Sequence, residues 1–205
     1  MNCRRTAITI GVGAATAASL SLLKVNKEIV VGSSAVVIGT GLMIASREED
    51  DLNKKIRNYE YFFNRAQDKF EVANYKEAIL DYNKALELSP TEICLVYSMR
   101  GNAKRNLGDL DGAISDQNKA LDFDPLYADG YFNRGSAKYK MGDFDGAIED
   151  YTQVIKISPK DSDAFFNRAN VKKEIGDIKS ACEDWKKAAN LGDEEAENLL
   201  KENCE

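Results

Sequence analysis

The sequence predicts an all-α fold: a solenoid of about four helix pairs behind an apolar head. Three observations carry that prediction. Small, aromatic and proline residues recur at a period of 34 or 35 residues. Proline is scarce, at 3 of 205, while 30 % of residues are charged, a helical and water-facing composition. Charge is also segregated: residues 1–46 carry a net +3 and the rest −9. Histidine is absent, which removes Ser-His-Asp and Cys-His nucleophiles, imidazole bases and His-containing zinc sites. The cysteines, at 3, 94, 182 and 204, form no C-x-x-C pair, and their scatter argues against a disulfide framework.

The head holds two uncharged stretches of 18 residues, Thr6–Leu23 and Ile29–Ser46, parted by a short polar loop with Lys24, Lys27 and Glu28. As helices each would reach about 27 Å against a hydrocarbon core of roughly 30 Å. Small residues lie four apart at Gly11 and Ala15, Gly13 and Ala17, and Ala35 and Gly39, a spacing that lets membrane helices approach closely. The expectation is an N-terminal membrane hairpin within residues 6–46. The alternative is a cleaved signal peptide, with Arg4 and Arg5 as its basic start and Ala15-Thr16-Ala17 as its cleavage site. That alternative leaves the second stretch unexplained. Arg4, Arg5, Arg47, Lys54, Lys55 and Arg57 flank the hairpin against two lysines in its loop, so the hairpin reading puts the body in the cytoplasm. Export would put it in the periplasm or outside.

Beyond a charged linker at 47–58, the period is explicit. Ala78, Ala113, Ala147 and Ala181 share one phase, as do Pro90, Pro125 and Pro159. An aromatic series, Phe62, Tyr97, Tyr131 and Phe165, is followed four residues later by Ala66, Gly101, Gly135 and Ala169. Asn74, Asp109, Asp143 and Asp177 mark a turn, preceded by glycine except at Ala73. With the phrases "VYSMRGNAKRNLGDLDGAISDQNKALDFDP" and "YFNRGSAKYKMGDFDGAIEDYTQVIKISP", the chain resembles a tetratricopeptide repeat protein of the membrane-anchored bacterial type. The likeness runs from Tyr59 to Gly192. It implies a right-handed superhelical solenoid with units at 59–92, 94–127, 128–161 and 162–192, closed by a capping helix and tail at 193–205. The first and fourth units depart from the pattern, at Ala73 and Asp193.

Each unit reads as two helices of about fourteen residues around a tight turn. Neither helix buries its apolar face alone, so stability must come from stacking. The polar positions repeat as well. Arg65, Arg100, Arg134 and Arg168 each precede Asp81, Asp116, Asp150 and Asp184 by sixteen residues, and a lysine follows each arginine after one helical turn. A fourfold acid/base array is a poor catalytic device, whereas a repeated Arg–Asp bridge within each helix pair is a good structural one.

The resemblance also implies a ligand groove lined by the first helices. Its candidates are Phe63, Asn64, Gln67, Asn102, Phe132, Asn133, Ser136, Phe166, Asn167 and Asn170, an aromatic and carboxamide surface suited to a peptide or partner helix. In relatives with such an asparagine ladder the amides hold the ligand backbone. The competing reading is asparagine merely tolerated on a solvated face. The ladder reading expects the amides of Asn133 and Asn167 to be without protein partners. The cationic cluster by which some relatives grip acidic chaperone tails is missing: Phe63, Gln67, Met99, Asp129 and Asn133 stand there. The acidic body also disfavours nucleic acid. The sequence thus predicts a non-catalytic interaction scaffold or assembly factor tethered to a membrane, with no cofactor, metal or small-molecule substrate. An exported structural protein of the envelope is the alternative.

Overall fold

The structure, a computed structural model, describes residues 35–88 and 93–204, with side chains from residue 51 onward. The described residues form nine α-helices and no strand. They are α1 (Ala35–Glu71), α2 (Tyr75–Leu88), α3 (Ile93–Asn106), α4 (Leu110–Phe123), α5 (Ala128–Met141), α6 (Phe144–Ile157), α7 (Ser162–Glu174), α8 (Ile178–Asn190) and α9 (Glu194–Asn203). A compact body begins at Asn58, and the part of α1 before it belongs to a separate one.

Two expectations at the head need different treatment. The stretch Thr6–Leu23 lies outside the described residues, as do residues 29–34 of the second stretch. The remainder of that stretch, 35–46, opens α1. No helix among the described residues is long and apolar enough to cross a membrane. The charged linker at 47–58 is helical. The reason is visible in its residues: nothing between 47 and 72 is glycine or proline, and Asp51 and Lys55 stand four apart.

The turns explain the helix boundaries. Asp109, Asp143 and Asp177 cap the second helices, each side chain accepting the backbone N–H three residues on. Asp161 and Asp193 do the same for α7 and α9. Before four of these caps the chain must pass through positive φ, at Gly108, Gly142, Gly176 and Gly192. Ala73 takes the same backbone state at φ 58° with a Cβ in place, a strained variant of the same turn.

Inside the body, α3 packs on α4, α5 on α6 and α7 on α8, and α2–α3, α4–α5 and α6–α7 join successive units. In addition α3 touches α5, so first helices share one inner side. Close approach is possible because the facing residues are small: Ala66, Ala78, Ala113, Ala147, Ala169 and Ala181 are all at most 1 % exposed. A Cβ on Gly101 would meet the Gln117 amide at 2.8 Å and the Ala113 carbonyl at 3.2 Å. Large side chains at one phase of the second helices, Tyr82, Tyr151 and Trp185, fill the remaining space and are fully buried.

The far end corrects the reading of the cysteines. Cys182, early in α8, is bonded to Cys204, just past α9, with 5.9 Å between their Cα atoms. The two helices turn back on each other after Leu191–Asp193, which brings the start of one beside the end of the other. A gap of 22 residues in sequence is therefore a contact in space. Cysteine scatter measured along the chain was the wrong yardstick.

Candidate binding groove

The polar framework is built around the four arginines. Arg100 donates to both Asp116 oxygens, from Nε at 2.8 Å and Nη2 at 2.6 Å. Arg134 grips Asp150 at 2.9 and 2.6 Å, and Arg65–Asp81 and Arg168–Asp184 repeat the fork. The lysine one turn on completes each site, Lys104 reaching Asp116 at 2.9 Å and Lys138 reaching Asp150 at 2.9 Å. In the second unit the aspartate side chain is 1 % exposed and the arginine 13 %. Two cations thus face each buried carboxylate. At Asp81 the Arg65 hydrogen bonds outweigh burial and hold the carboxyl down at about 2.

The arginines also look backwards. Arg100 Nη1 donates to Asn83 Oδ1 on the preceding unit, Arg134 Nη1 to Asn118 Oδ1, and Arg168 Nη1 to Thr152 Oγ1. Beneath each guanidinium lies the aromatic three residues earlier, Phe62, Tyr97, Tyr131 or Phe165, at 5.1 to 5.7 Å. The aromatic series of the sequence is therefore a set of plates under these guanidinium groups.

The expected ligand residues divide. Phe63 is 5 % exposed, stacked on Tyr59 and packed against Tyr82, so it belongs to the core and not to a groove surface. The asparagine ladder is not free. Asn133 Nδ2 donates to Ser98 Oγ at 3.3 Å, and Asn167 Nδ2 to the Asp163 carbonyl one turn back at 2.7 Å. Each amide has an acceptor within its own reach, which removes the expectation that a ligand must satisfy it. Asn64 is exposed, while Gln67 and Asn102 are half-buried. Ser136 is bonded to Tyr151 Oη at 3.1 Å, and Asn170 Oδ1 accepts from the Trp185 indole at 3.0 Å. Phe132 lies edge-on to Tyr151 and Phe166 packs against the Trp185 cluster.

What the sequence reading missed is the buried layer behind these residues. Tyr82, Gln117, Tyr151 and Trp185 recur at one phase of the second helices, each fifteen residues after Gln67, Asn102, Ser136 or Asn170. That period was available in the sequence. In units three and four these positions bond to each other. In units one and two they do not: Tyr82 Oη, Asn102 Oδ1 and Gln117 Oε1 are buried without a partner. Gln117 spends its Nε2 on the Ser98 carbonyl at 3.0 Å.

Stacked helix pairs with a Gly-Asp turn, a small-residue seam and first helices on a shared inner side define a helical repeat solenoid, a fold that presents surfaces to partners. The chain carries tetratricopeptide repeats: residues 59–92, 101–142 and 128–161 each match models of that repeat. The fold is similar to that of a crystal structure of MamA, at 24 % identity over 73 % of this chain and 86 % of that one, with a TM-score of 0.63. It is similar also to the first TPR of Spaghetti (RPAP3) bound to the HSP90 peptide SRMEEVD, at 22 % identity, 58 % and 94 % coverage and a TM-score of 0.56. The Arabidopsis OM64 TPR domain follows at 19 % identity, 58 % and 98 % coverage and a TM-score of 0.56. No protein of curated function matches the sequence.

Proposed function

We propose that this protein is a non-catalytic interaction scaffold that binds a partner peptide or helix along the inner face of its first helices, beside a membrane reached through residues 6–46. The observation that carries the reading is the shared inner side of the first helices, where α3 meets α5. The resident chemistry for catalysis is thin by comparison: no histidine exists, and the carboxylates of the array are neutralised by arginine and lysine. A neighbour in fold was solved with a peptide bound, which suits the same use here.

The test is affinity capture of the intact chain from mild detergent, compared with an Asn64→Ala, Asn102→Ala double variant. A partner that the wild type retains and the folded variant loses supports the inner face. Equal recovery by both would move binding to another surface.

One observation favours the exported reading of the same scaffold over a cytoplasmic one. The Cys182–Cys204 bond belongs to an oxidising compartment. Intact mass of protein isolated from membranes, together with thiol counting without reductant, separates the two. A cleaved head with both thiols oxidised means export, and an intact head with both reduced means the cytoplasm.

A further inference from the structure

The last described helix, α9, is fastened differently from those before it. It has no arginine, so the fork that joins the two helices of each unit has no counterpart on it. Glu197 pairs with Lys201 within the helix, and Asn203 donates to the Leu199 carbonyl. Its apolar stripe meets the cluster of Phe165, Ala181, Trp185 and Ala188, where Ala196 is fully buried and Leu199 and Leu200 are partly so. A helix of ten residues is marginal on its own in water. The second fastening is the Cys182–Cys204 bond.

The two sulfurs are unequally placed. Cys182 is half-buried in α8, whereas Cys204 stands exposed just past the end of α9. A thiolate from outside can therefore approach the Cys204 sulfur. The helix is tied to α8 at both of its ends, by the main chain through Leu191–Asp193 and by sulfur beyond Asn203. Cutting the sulfur tie leaves the main chain and one short apolar stripe to hold it.

We propose that Cys182–Cys204 is a thiol–disulfide exchange site that latches α9, and that reduction by a dithiol releases this helix from the face around Trp185. One thiolate of the dithiol attacks Cys204 Sγ, forming a mixed disulfide and expelling the Cys182 thiolate. The second thiolate attacks the dithiol's own bound sulfur, which expels the Cys204 thiolate and closes a cyclic disulfide. The dithiol is oxidised by two electrons and the protein bond is reduced to two thiols, with two protons passing across. With the latch closed, the end of the array is sealed. With it open, the Trp185 face is covered only while α9 stays down. The thiol balance of the compartment thereby sets the state of one end of the scaffold. The switch does not depend on what the inner face binds.

Trp185 is the one tryptophan of the chain and is fully buried in this cluster, so it reports the change. The full chain in detergent micelles is treated with dithiothreitol in the absence of denaturant. Alkylation and peptide mass mapping score Cys182 and Cys204 individually, hydrogen exchange follows the α9 amides, and acrylamide quenching follows Trp185. The expected result is α9 amides that exchange about a hundredfold faster once both thiols are free, as the loss of a cross-link over a loop of this size implies. Quenching of Trp185 should rise with it, while the amides of α5 and α6 stay as they were. The Cys204→Ser protein should show the faster α9 exchange before any reductant is added, and dithiothreitol should leave its α9 amides unchanged. Reduction that frees both thiols but leaves α9 exchange and Trp185 quenching at the oxidised level would make the bond a passive brace and overturn the latch. A bond that yields only in denaturant, or that never forms in air-oxidised protein, would remove the exchange site. A Cys204→Ser chain that fails to fold would show the bond to be structural and overturn the latch equally.

Discussion

The two halves of the array use one backbone for two purposes. In units three and four the positions fifteen residues apart meet as bonded pairs, Ser136 with Tyr151 and Asn170 with Trp185. In units one and two the same positions hold Tyr82, Asn102 and Gln117, whose buried polar atoms stay unpaired. The Arg–Asp forks hardly differ between the halves. A repeat can thus bond a given pair of buried positions or leave their polar atoms unpaired at a cost to its own stability.

The largest expected effect tests what the halves share. Removing Arg100 or Arg134 leaves a buried aspartate short of its fork, and each change to Ala should cost about 3–5 kcal/mol in denaturant melts of the full chain. Similar losses would confine the difference between halves to the polar lining. Losses under about 1 kcal/mol would make the forks surface decoration.

Next comes the lining itself, probed by deleting one hydroxyl at a time. Tyr151→Phe removes a hydroxyl bonded to Ser136 and should destabilise by ~1 kcal/mol. Tyr82→Phe removes an unpaired hydroxyl and should be neutral or mildly stabilising. Equal destabilisation in both would erase the distinction between bonded and unbonded hydroxyls.

A smaller effect sits in the turns. Ala73 adopts positive φ where the later units have glycine, so Ala73→Gly should stabilise by about 0.5–1 kcal/mol, and Gly142→Ala should lose a similar amount. Thermal melts of both variants check the sign. The smallest concerns acid. Asp81 has its pKa lowered to about 2 in the fold, so its contribution is complete above about pH 4 and fades as the pH drops towards 2. Asp81→Asn should flatten that part of the stability profile in an acid titration followed by circular dichroism.

Much of this was legible in the sequence, and the reasons are physical. The sixteen-residue interval from Arg to Asp, four times repeated, left little but a bridge between paired helices, and the Gly-Asp pairs marked the turns. The asparagines were less readable. Asn64, Asn133 and Asn167 share a phase, yet Asn133 finds the Ser98 hydroxyl only because serine replaces phenylalanine there, and Asn167 finds its own helix. Hydrogen bonding depends on the neighbour's identity in a way that phase does not record. The disulfide escaped because closeness across a helical turn-back is invisible to spacing along the chain.

The backward reach of the arginines has a consequence for synthesis. Asn83, Asn118 and Thr152 receive their guanidinium only from the unit that follows. On a ribosome the chain emerges N-terminus first, and domains are completed in that order. Each unit is therefore fastened one helix late, when the next unit's first helix has left the exit tunnel. A truncated product ending at any second helix would carry an unlatched end. The helix α9 is fastened in another way, by a bond between sulfurs at Cys182 and Cys204.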